Sequence, residues 1–214
     1  AVVITSVVIN ELNADNIGFP DTQEFIELYG AANGSLNGLT LVLYDGNNGT
    51  SYYAMGLDGY SLDAQGFFVI GSANTTNVDL VIPDNTIQNG GDAVAIYIGS
   101  VTQYPNGTSP TGSNLMDAQV YGTADPTATN LITGLTLDVL APGYTQFDET
   151  VQQSGTDLTQ SRVPDGGAGE AVDDGGKVIL RTAPGLGVEE RAGGLGGERE
   201  LAGGALAHAL GIAV

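Results

Sequence analysis

Short runs of β-forming residues, separated by tight-turn dipeptides, constrain the fold of this chain more than any other feature of its sequence. The run 2–9 is β-branched almost without a break, and in 24–29 Ile26 and Leu28 share one face while Glu27 points to the solvent side. Six further runs lie at 39–44, 51–55, 66–71, 78–82, 93–98 and 118–121. Asn-Gly or Asp-Gly pairs, which accept the positive φ of tight turns, stand at 33–34, 37–38, 45–46, 58–59 and 89–90. This spacing predicts an all-β fold, an antiparallel β-sandwich or barrel, with no convincing helix before residue 186.

Basic residues are absent from the first 161 positions, although these carry 17 acidic residues. The five basic residues of the chain follow later, and its formal net charge is −20; they are Arg162, Lys177, Arg181, Arg191 and Arg199. Affinity for phosphate comes mainly from Lys and Arg, so the composition predicts no nucleic-acid partner and disfavours anionic membrane surfaces. The acids of 1–161 cannot pair with Lys or Arg among themselves. They must be solvated, hydrogen-bonded or matched by cations from solution.

Cysteine is absent, which excludes disulfides and thiolate chemistry. No run of 18 apolar residues occurs, so we expect no membrane insertion. The chain starts at Ala1, as a processed secreted protein would, and its net charge and abundant Gly, Asn, Thr and Ser suit a surface that stays soluble outside a cell. We therefore expect an extracellular or cell-surface protein.

Composition divides the chain into a body, residues 1–185, and a tail, residues 186–214. Within the body, residues 122–161 are rich in Thr, Asn, Pro and Gly, and we expect long loops laid over the sandwich. Four apolar residues give these loops something to bury: Leu135, Leu137, Val139 and Leu140. The tail is mostly Gly, Ala, Leu, Glu and Arg, a composition that suits a linker, a docking segment or sequence foreign to the domain.

The last ten residues of the tail alternate strictly between larger residues and Ala or Gly. The larger residues are Leu206, His208, Leu210, Ile212 and Val214. Period two predicts a strand with one bulky face, whereas Ala and Leu favour a helix, and both interpretations stay open here. As a strand, this face would pair with an exposed sheet edge of the same or a neighbouring molecule. The five residues are therefore candidates for self-assembly into a filament or matrix.

Motifs in the body occur in a recognisable order and spacing. They are Val8-Ile9-Asn10-Glu11-Leu12, Glu24-Phe25-Ile26-Glu27-Leu28-Tyr29, Ser35-Leu36-Asn37-Gly38-Leu39-Thr40-Leu41, Gly66-Phe67-Phe68-Val69-Ile70 and Asn89-Gly90-Gly91-Asp92-Ala93-Val94-Ala95, followed by Asp117-Ala118-Gln119-Val120-Tyr121-Gly122, Ser161-Arg162-Val163-Pro164-Asp165-Gly166 and Thr182-Ala183-Pro184-Gly185. Together they resemble the lamin tail domain, in particular its bacterial and archaeal versions on secreted proteins. The resemblance spans about residues 2–185.

The resemblance implies an immunoglobulin-like β-sandwich that acts as a non-enzymatic interaction or structural module. Its partners would be copies of itself or other extracellular proteins. The alternative is an accessory domain of a secreted nuclease or other hydrolase whose catalytic domain lies outside this chain. Nuclear lamins carry a basic surface for partners and nucleic acid, and the lack of Lys and Arg here departs from that pattern.

Three motif acids, Glu11, Glu24 and Glu27, raise the question of paired carboxylates for acid–base catalysis. No His, Lys or Ser accompanies them in a catalytic pattern, and His208 is solitary in its tail. We therefore expect no catalytic residues and no enzymatic activity.

No cofactor follows with certainty from the sequence, and calcium is the one that it leaves open, because the loops 45–48 and 173–174 are rich in oxygen ligands. Neither loop completes an EF-hand, since the twelfth position counted from Asp45 is Gly56. Turn formation explains the same residues without a metal, so no ligand is singled out.

Overall fold

The computed structural model describes residues 6–15, 20–122, 125–135, 146–148, 159–162, 165–166, 171–173 and 178–179. In chain order the strands are β1 Val7–Asn13, β2 Phe25–Gly30, β3 Leu39–Asp45, β4 Thr50–Gly56, β5 Phe67–Gly71, β6 Leu80–Val81, β7 Asp92–Ile98, β8 Leu115–Gly122, β9 Phe147–Asp148, β10 Gln160–Arg162, β11 Ala171–Asp173 and β12 Val178–Ile179. A 3-10 turn covers Val101–Gln103, and a short helix, α1, covers Thr129–Gly134. Neither helix is long or apolar enough to cross a membrane.

The strands form two sheets that pack face to face, which confirms the predicted all-β sandwich. The seven-stranded sheet has the order β12-β11-β10-β1-β2-β5-β6, and the five-stranded sheet has the order β4-β3-β7-β8-β9. Neighbouring strands are antiparallel, except that β5 pairs with β6 and β8 with β9 in parallel. Both parallel pairs thus lie at one end of a sheet, and the central strands of each sheet are antiparallel.

Each of the eight predicted strand runs coincides with a strand of the structure, although the first is displaced. Strand β1 continues past Ile9 to Asn13, and a β-bulge falls between Ile9 and Glu11. The predicted strand start at residues 2–5 lies outside the described residues. Three of the turn dipeptides contain a residue with positive φ, as predicted: Asn33, Gly38 and Gly59.

The main core lies between the sheets. Ile26 and Leu28 of β2 are fully buried there, whereas Glu27 is half-buried on the outer face, as the alternation predicts. From the other sheet, Leu41 and Leu43 of β3 contribute to the same core. Period-two burial therefore sets the register of the inner strands.

The five-stranded sheet is covered on its outer face as well. A second cluster lies there, formed by Val42, Tyr44, Ala93, Ala95, Tyr97, Tyr104, Leu115, Ala118, Val120, Ala128, Leu131 and Leu135. Because both faces are covered, β3 and β7 are buried at six of their seven positions each.

Helix α1 supplies part of this cover through Leu131, and the residue that follows it, Leu135, is buried in the same cluster. The prediction of loops over 122–161 is wrong at 129–134, which are helical and bury Leu131 against the sheet. It is also wrong at β9, which pairs with β8, and at the start of β10, which pairs with β1. The expected burial of Leu135 is confirmed, and Leu137, Val139 and Leu140 lie outside the described residues.

Candidate functional site

Carboxyl groups gather at the end of the sandwich where β1 ends and β2 and β7 begin. The Nδ2 of Asn89 donates to Asp15 Oδ1 and to Asp21 Oδ2, both at 3.0 Å, and so ties the loop before β7 to the loop between β1 and β2. We call this region the acidic end and define it by Asp15, Asp21, Glu24, Asp84 and Asp92. It concentrates negative charge in a chain that has no basic residue before Arg162.

Glu24 is a fully buried carboxyl at the acidic end. Its Oε2 accepts hydrogen bonds from the backbone N–H groups of Thr86 and Ile87 at 3.0 and 3.3 Å. Among the described residues, Oε1 has no hydrogen-bond partner. Burial raises the pKa of Glu24 to about 8, aided by Asp21 and Asp84 and opposed by the two N–H groups. Glu24 thus anchors the loop before β7 and is a proton-holding group near neutral pH.

Asp92 is the second buried carboxyl of this end. Its Oδ1 accepts a hydrogen bond from the backbone N–H of Gly46 at 2.8 Å, and its Oδ2 has no partner within the described part of the chain. Burial raises the pKa of Asp92 to about 6, with Asp45 and Asp125 adding to the rise and the Gly46 N–H lowering it. The contact with Gly46 joins the start of β7 to the β3–β4 turn.

Two tyrosine hydroxyls lie within electrostatic reach of both buried carboxyls. The Oη of Tyr121 donates to the carbonyl of Gln88 at 3.0 Å, and the Oη of Tyr52 accepts from the Gln88 N–H at 3.2 Å. Burial raises the pKa of both hydroxyls, which therefore stay neutral. Near neutral pH, Glu24 and the two phenols are thus held in their protonated forms.

No group of three or more His, Cys, Asp or Glu side chains among the described residues is arranged to hold a metal ion. In the loop 45–48, Asp45 Oδ1 accepts from the Asn47 N–H at 2.7 Å and Asp45 Oδ2 from Asn48 Nδ2 at 2.6 Å. Asn48 Oδ1 in turn accepts from Thr50. These hydrogen bonds are typical of tight turns. They match the explanation of this loop by turn formation, which needs no calcium. Asp173 belongs to β11, and Asp174 lies outside the described residues.

Glu11 and Glu27 come together in an open groove on the outer face of the seven-stranded sheet. They stand opposite each other on β1 and β2, in a groove of about 270 Å³. Phe25, Asn13 and Thr76 also line it. Like charges directly opposite in a sheet destabilise it, so this pair needs support from its neighbours.

The bulge in β1 provides that support. It places Asn10 so that its Nδ2 donates to Glu27 Oε1 at 2.8 Å and to Asp165 Oδ1 at 3.3 Å, while Asn10 Oδ1 accepts from the Gly166 N–H at 2.8 Å. Burial raises the pKa of Glu27, the bond from Asn10 lowers it, and Glu11 and Asp165 raise it again. Asn10, a buried amide, thus positions the carboxylate of Glu27.

Arg162, the first basic residue of the chain, joins the two sheets. Its Nη2 donates to both carboxylate oxygens of Asp117 on β8 at 2.9 and 2.8 Å, and its Nε donates to the carbonyl of Ile9 on β1 at 2.6 Å. Asp117 Oδ2 also accepts from the Ile9 N–H at 2.7 Å. The Arg162–Asp117 pair therefore binds both the carbonyl and the N–H of Ile9. Ile9 lies outside the part of β1 that pairs with β10, which is Glu11 and Leu12.

The sequence identified the motifs that contain Asn10, Asp92, Asp117 and Arg162 but assigned these residues no role. The sequence does contain a signal for two of them. Asp92 directly precedes the apolar run 93–98, and Asp117 interrupts an apolar run at 115–121. The self-assembly candidates Leu206, His208, Leu210, Ile212 and Val214 lie outside the described residues, as does the whole tail 186–214.

Comparisons with models of protein families, with curated proteins and with solved structures find no match for this chain.

Proposed function

We propose that this chain is a non-enzymatic extracellular module of the lamin-tail type, which binds copies of itself or other extracellular proteins. The motif resemblance over residues 2–185 and the all-β sandwich support the proposal. The acidic composition, with −20 formal charges and no cysteine, supports an extracellular location.

The observation that carries the proposal is that the polar side chains of the motifs hold the fold together. Glu24 binds the backbone of the loop before β7. Asn10 binds Glu27, and Arg162 binds Asp117 and the backbone of β1. Structural contacts thereby account for Glu24 and Glu27, two of the three motif acids that raise the question of acid–base catalysis.

The charge distribution supports protein partners over nucleic acids. Arg162 is the one basic side chain among the described residues, and Asp117 and the Ile9 carbonyl already occupy it. Binding to phosphate groups needs basic side chains that remain accessible.

Self-assembly through the tail 186–214 stays a prediction. So does the alternative, in which the module serves a hydrolase domain encoded elsewhere in the same gene. A reading frame that continues into a catalytic domain would favour that alternative.

The test is a hydrolase assay on the purified chain, with DNA, a phosphate monoester and aryl glycosides as substrates. We expect no turnover above the buffer rate from the wild-type chain. The variants Glu11→Gln and Glu27→Gln keep the shape of each side chain and remove its charge. Turnover that either substitution abolishes would overturn the proposal.

A further inference from the structure

The groove on the outer face of the seven-stranded sheet holds a buried acceptor that the described chain leaves unsatisfied. Asn13 lines this groove and is 4% exposed, and its Oδ1 has no hydrogen-bond partner among the described residues. Leu12, the residue before it, is buried in the core between the sheets, so the alternation of a strand turns Asn13 to the outer face. Buried acceptors without a partner are rare in folded proteins. A donor that enters through the groove would supply the missing partner.

Two carboxylates beside Asn13 also have acceptor capacity to spare. Glu11 and Glu27 stand opposite each other on β1 and β2, and both line the groove. In the described part of the chain, the Glu27 carboxylate accepts one hydrogen bond, from Asn10, and the Glu11 carboxylate accepts none. The groove therefore offers hydrogen-bond acceptors on three neighbouring side chains.

The charge around the groove is negative and has no basic counterpart in the described ranges. Glu11, Asp165 and Asp63 all act on Glu27, and each raises its pKa. Arg162, the one basic side chain that the structure describes, is bound elsewhere, between the two sheets. The groove therefore favours a cation that brings its own hydrogen-bond donors.

The lining of the groove favours an organic cation over a metal ion. No group of three or more His, Cys, Asp or Glu side chains within the described ranges is arranged to hold a metal. Phe25 and Val69 add apolar surface, which suits the hydrocarbon stem of a long side chain. A guanidinium brings five N–H donors in a planar fork and stacks on aromatic rings. Arginine therefore matches a site that combines carboxylates, an amide oxygen and an aromatic ring.

We propose that this groove binds an arginine side chain of a basic protein partner, whose guanidinium donates to Glu11, Glu27 and Asn13 Oδ1. The stem of the arginine packs against Phe25. The inference rests on the proposed function, because it names the chemistry by which the module recognises a partner. Charge selects a different protein over a second copy, since a chain of net charge −20 attracts a basic protein and repels its own kind.

The test is a titration of the full, isotope-labelled chain with the peptide acetyl-Gly-Arg-Gly-amide, followed by NMR at about 0.15 M salt, where distant charges are screened. We expect saturable shifts of the backbone N–H signals of β1 and β2 around the groove. The matched peptide with citrulline in place of arginine keeps the shape and lacks the charge. We expect it to bind at least tenfold more weakly. Equal binding of both peptides, or no saturable shift at the groove, would overturn the inference.

Removal of charge within the groove tests the two carboxylates. In Glu27→Gln the amide oxygen still accepts from Asn10, and Glu11→Gln keeps the shape of the side chain. We expect each variant to bind the arginine peptide at least fivefold more weakly.

Asp58→Asn is the matched control for these variants. Asp58 is exposed and does not line the groove, and the amide oxygen of its replacement still accepts from the Gly38 N–H. We expect this control to bind the arginine peptide like the wild-type chain. An equal loss in all three variants would show that net charge attracts the peptide and would overturn the inference.

A further variant tests the unpartnered oxygen. Asn13→Val removes it and introduces a residue that suits a strand. We expect the arginine peptide to bind at least threefold more weakly, and a melting temperature near the wild-type value shows that the variant is folded. A folded Asn13→Val chain that binds like wild type would contradict the assignment. The shape-preserving variants Glu11→Gln and Glu27→Gln decide the question on their own if Asn13→Val does not fold.

Two further outcomes separate this site from its alternatives. Calcium chloride that displaces the arginine peptide more strongly than sodium chloride of equal ionic strength would reveal a metal site and overturn the inference. Hydrolase activity in a chain that binds the peptide would refute the proposed function and leave the groove assignment standing. An inactive chain that does not bind the peptide would refute the groove assignment alone.

Discussion

Two buried carboxyls are the residues that should link the stability of this protein to pH. Glu24 and Asp92 lie at the acidic end with pKa values raised to about 8 and about 6, in both cases mainly by burial. In the unfolded chain both groups ionise near pH 4. The folded state therefore binds more protons than the unfolded state between about pH 4 and pH 8.

Stability should accordingly fall as the pH rises through this window. A raised folded-state pKa stabilises the fold fully below the unfolded value, and that contribution is lost on passing the folded value. We expect Glu24→Gln to reduce the loss of melting temperature between pH 5 and pH 8.5, because the amide oxygen still accepts from Thr86 and Ile87 but cannot ionise. Thermal unfolding at constant ionic strength measures this. Glu11→Gln controls for the change in net charge, and equal pH slopes for wild type and Glu24→Gln would refute the prediction.

At the scale of elements, strands and connections differ in how far sequence alone predicts them. The strands follow from alternation and turn dipeptides, and β3 and β7 also read as continuous apolar runs, which is typical of strands buried on both faces. Helix α1 has six residues, includes Thr, Asn and Gly, and has no side-chain cap at its start. Its helical turn depends on Leu131 burying against the outer face of the sheet, and local propensity gives no sign of that contact.

The contact between β1, β8 and β10 is an element-level feature that mutation can test. Arg162→Met removes the guanidinium and leaves Asp117 as a buried charge, so we expect a loss of about 3–5 kcal/mol in the free energy of unfolding. Adding Asp117→Asn should restore part of this loss, because the amide is neutral and its oxygen still accepts from the Ile9 N–H. Urea unfolding of the two single variants and the double variant measures the coupling. An Arg162→Met chain within about 0.5 kcal/mol of wild type, the range of ordinary surface changes, would show that the ion pair is dispensable.

Across the whole molecule, charge is the dominant feature. The first 161 residues carry 17 acids and no base, and in the described chain Arg162 neutralises one of them, Asp117. Repulsion among the others acts over the Debye length, which is about 30 Å at 0.01 M salt and about 3 Å at 1 M. Folding brings these charges closer together than they lie in the unfolded chain.

The melting temperature should therefore rise between 0.01 M and 1 M sodium chloride, because screening relieves repulsion more in the folded state. Calcium chloride at equal ionic strength distinguishes a binding site from screening, since a specific site adds stability in proportion to its occupancy. A melting temperature that stays constant or falls with sodium chloride would contradict the prediction.

The sequence by itself determined the fold class, the positions of eight strands and the lack of basic groups through the first 161 residues. These properties depend on local alternation, turn chemistry and composition, which can be read one segment at a time. The tertiary structure alone decided that Arg162 reaches Asp117, that Asn10 supports Glu27, and that Glu24 is buried. Each of these contacts joins residues that are distant in the chain. Strand order and sheet packing decide which distant residues meet, and no local sequence pattern encodes the strand order or the packing.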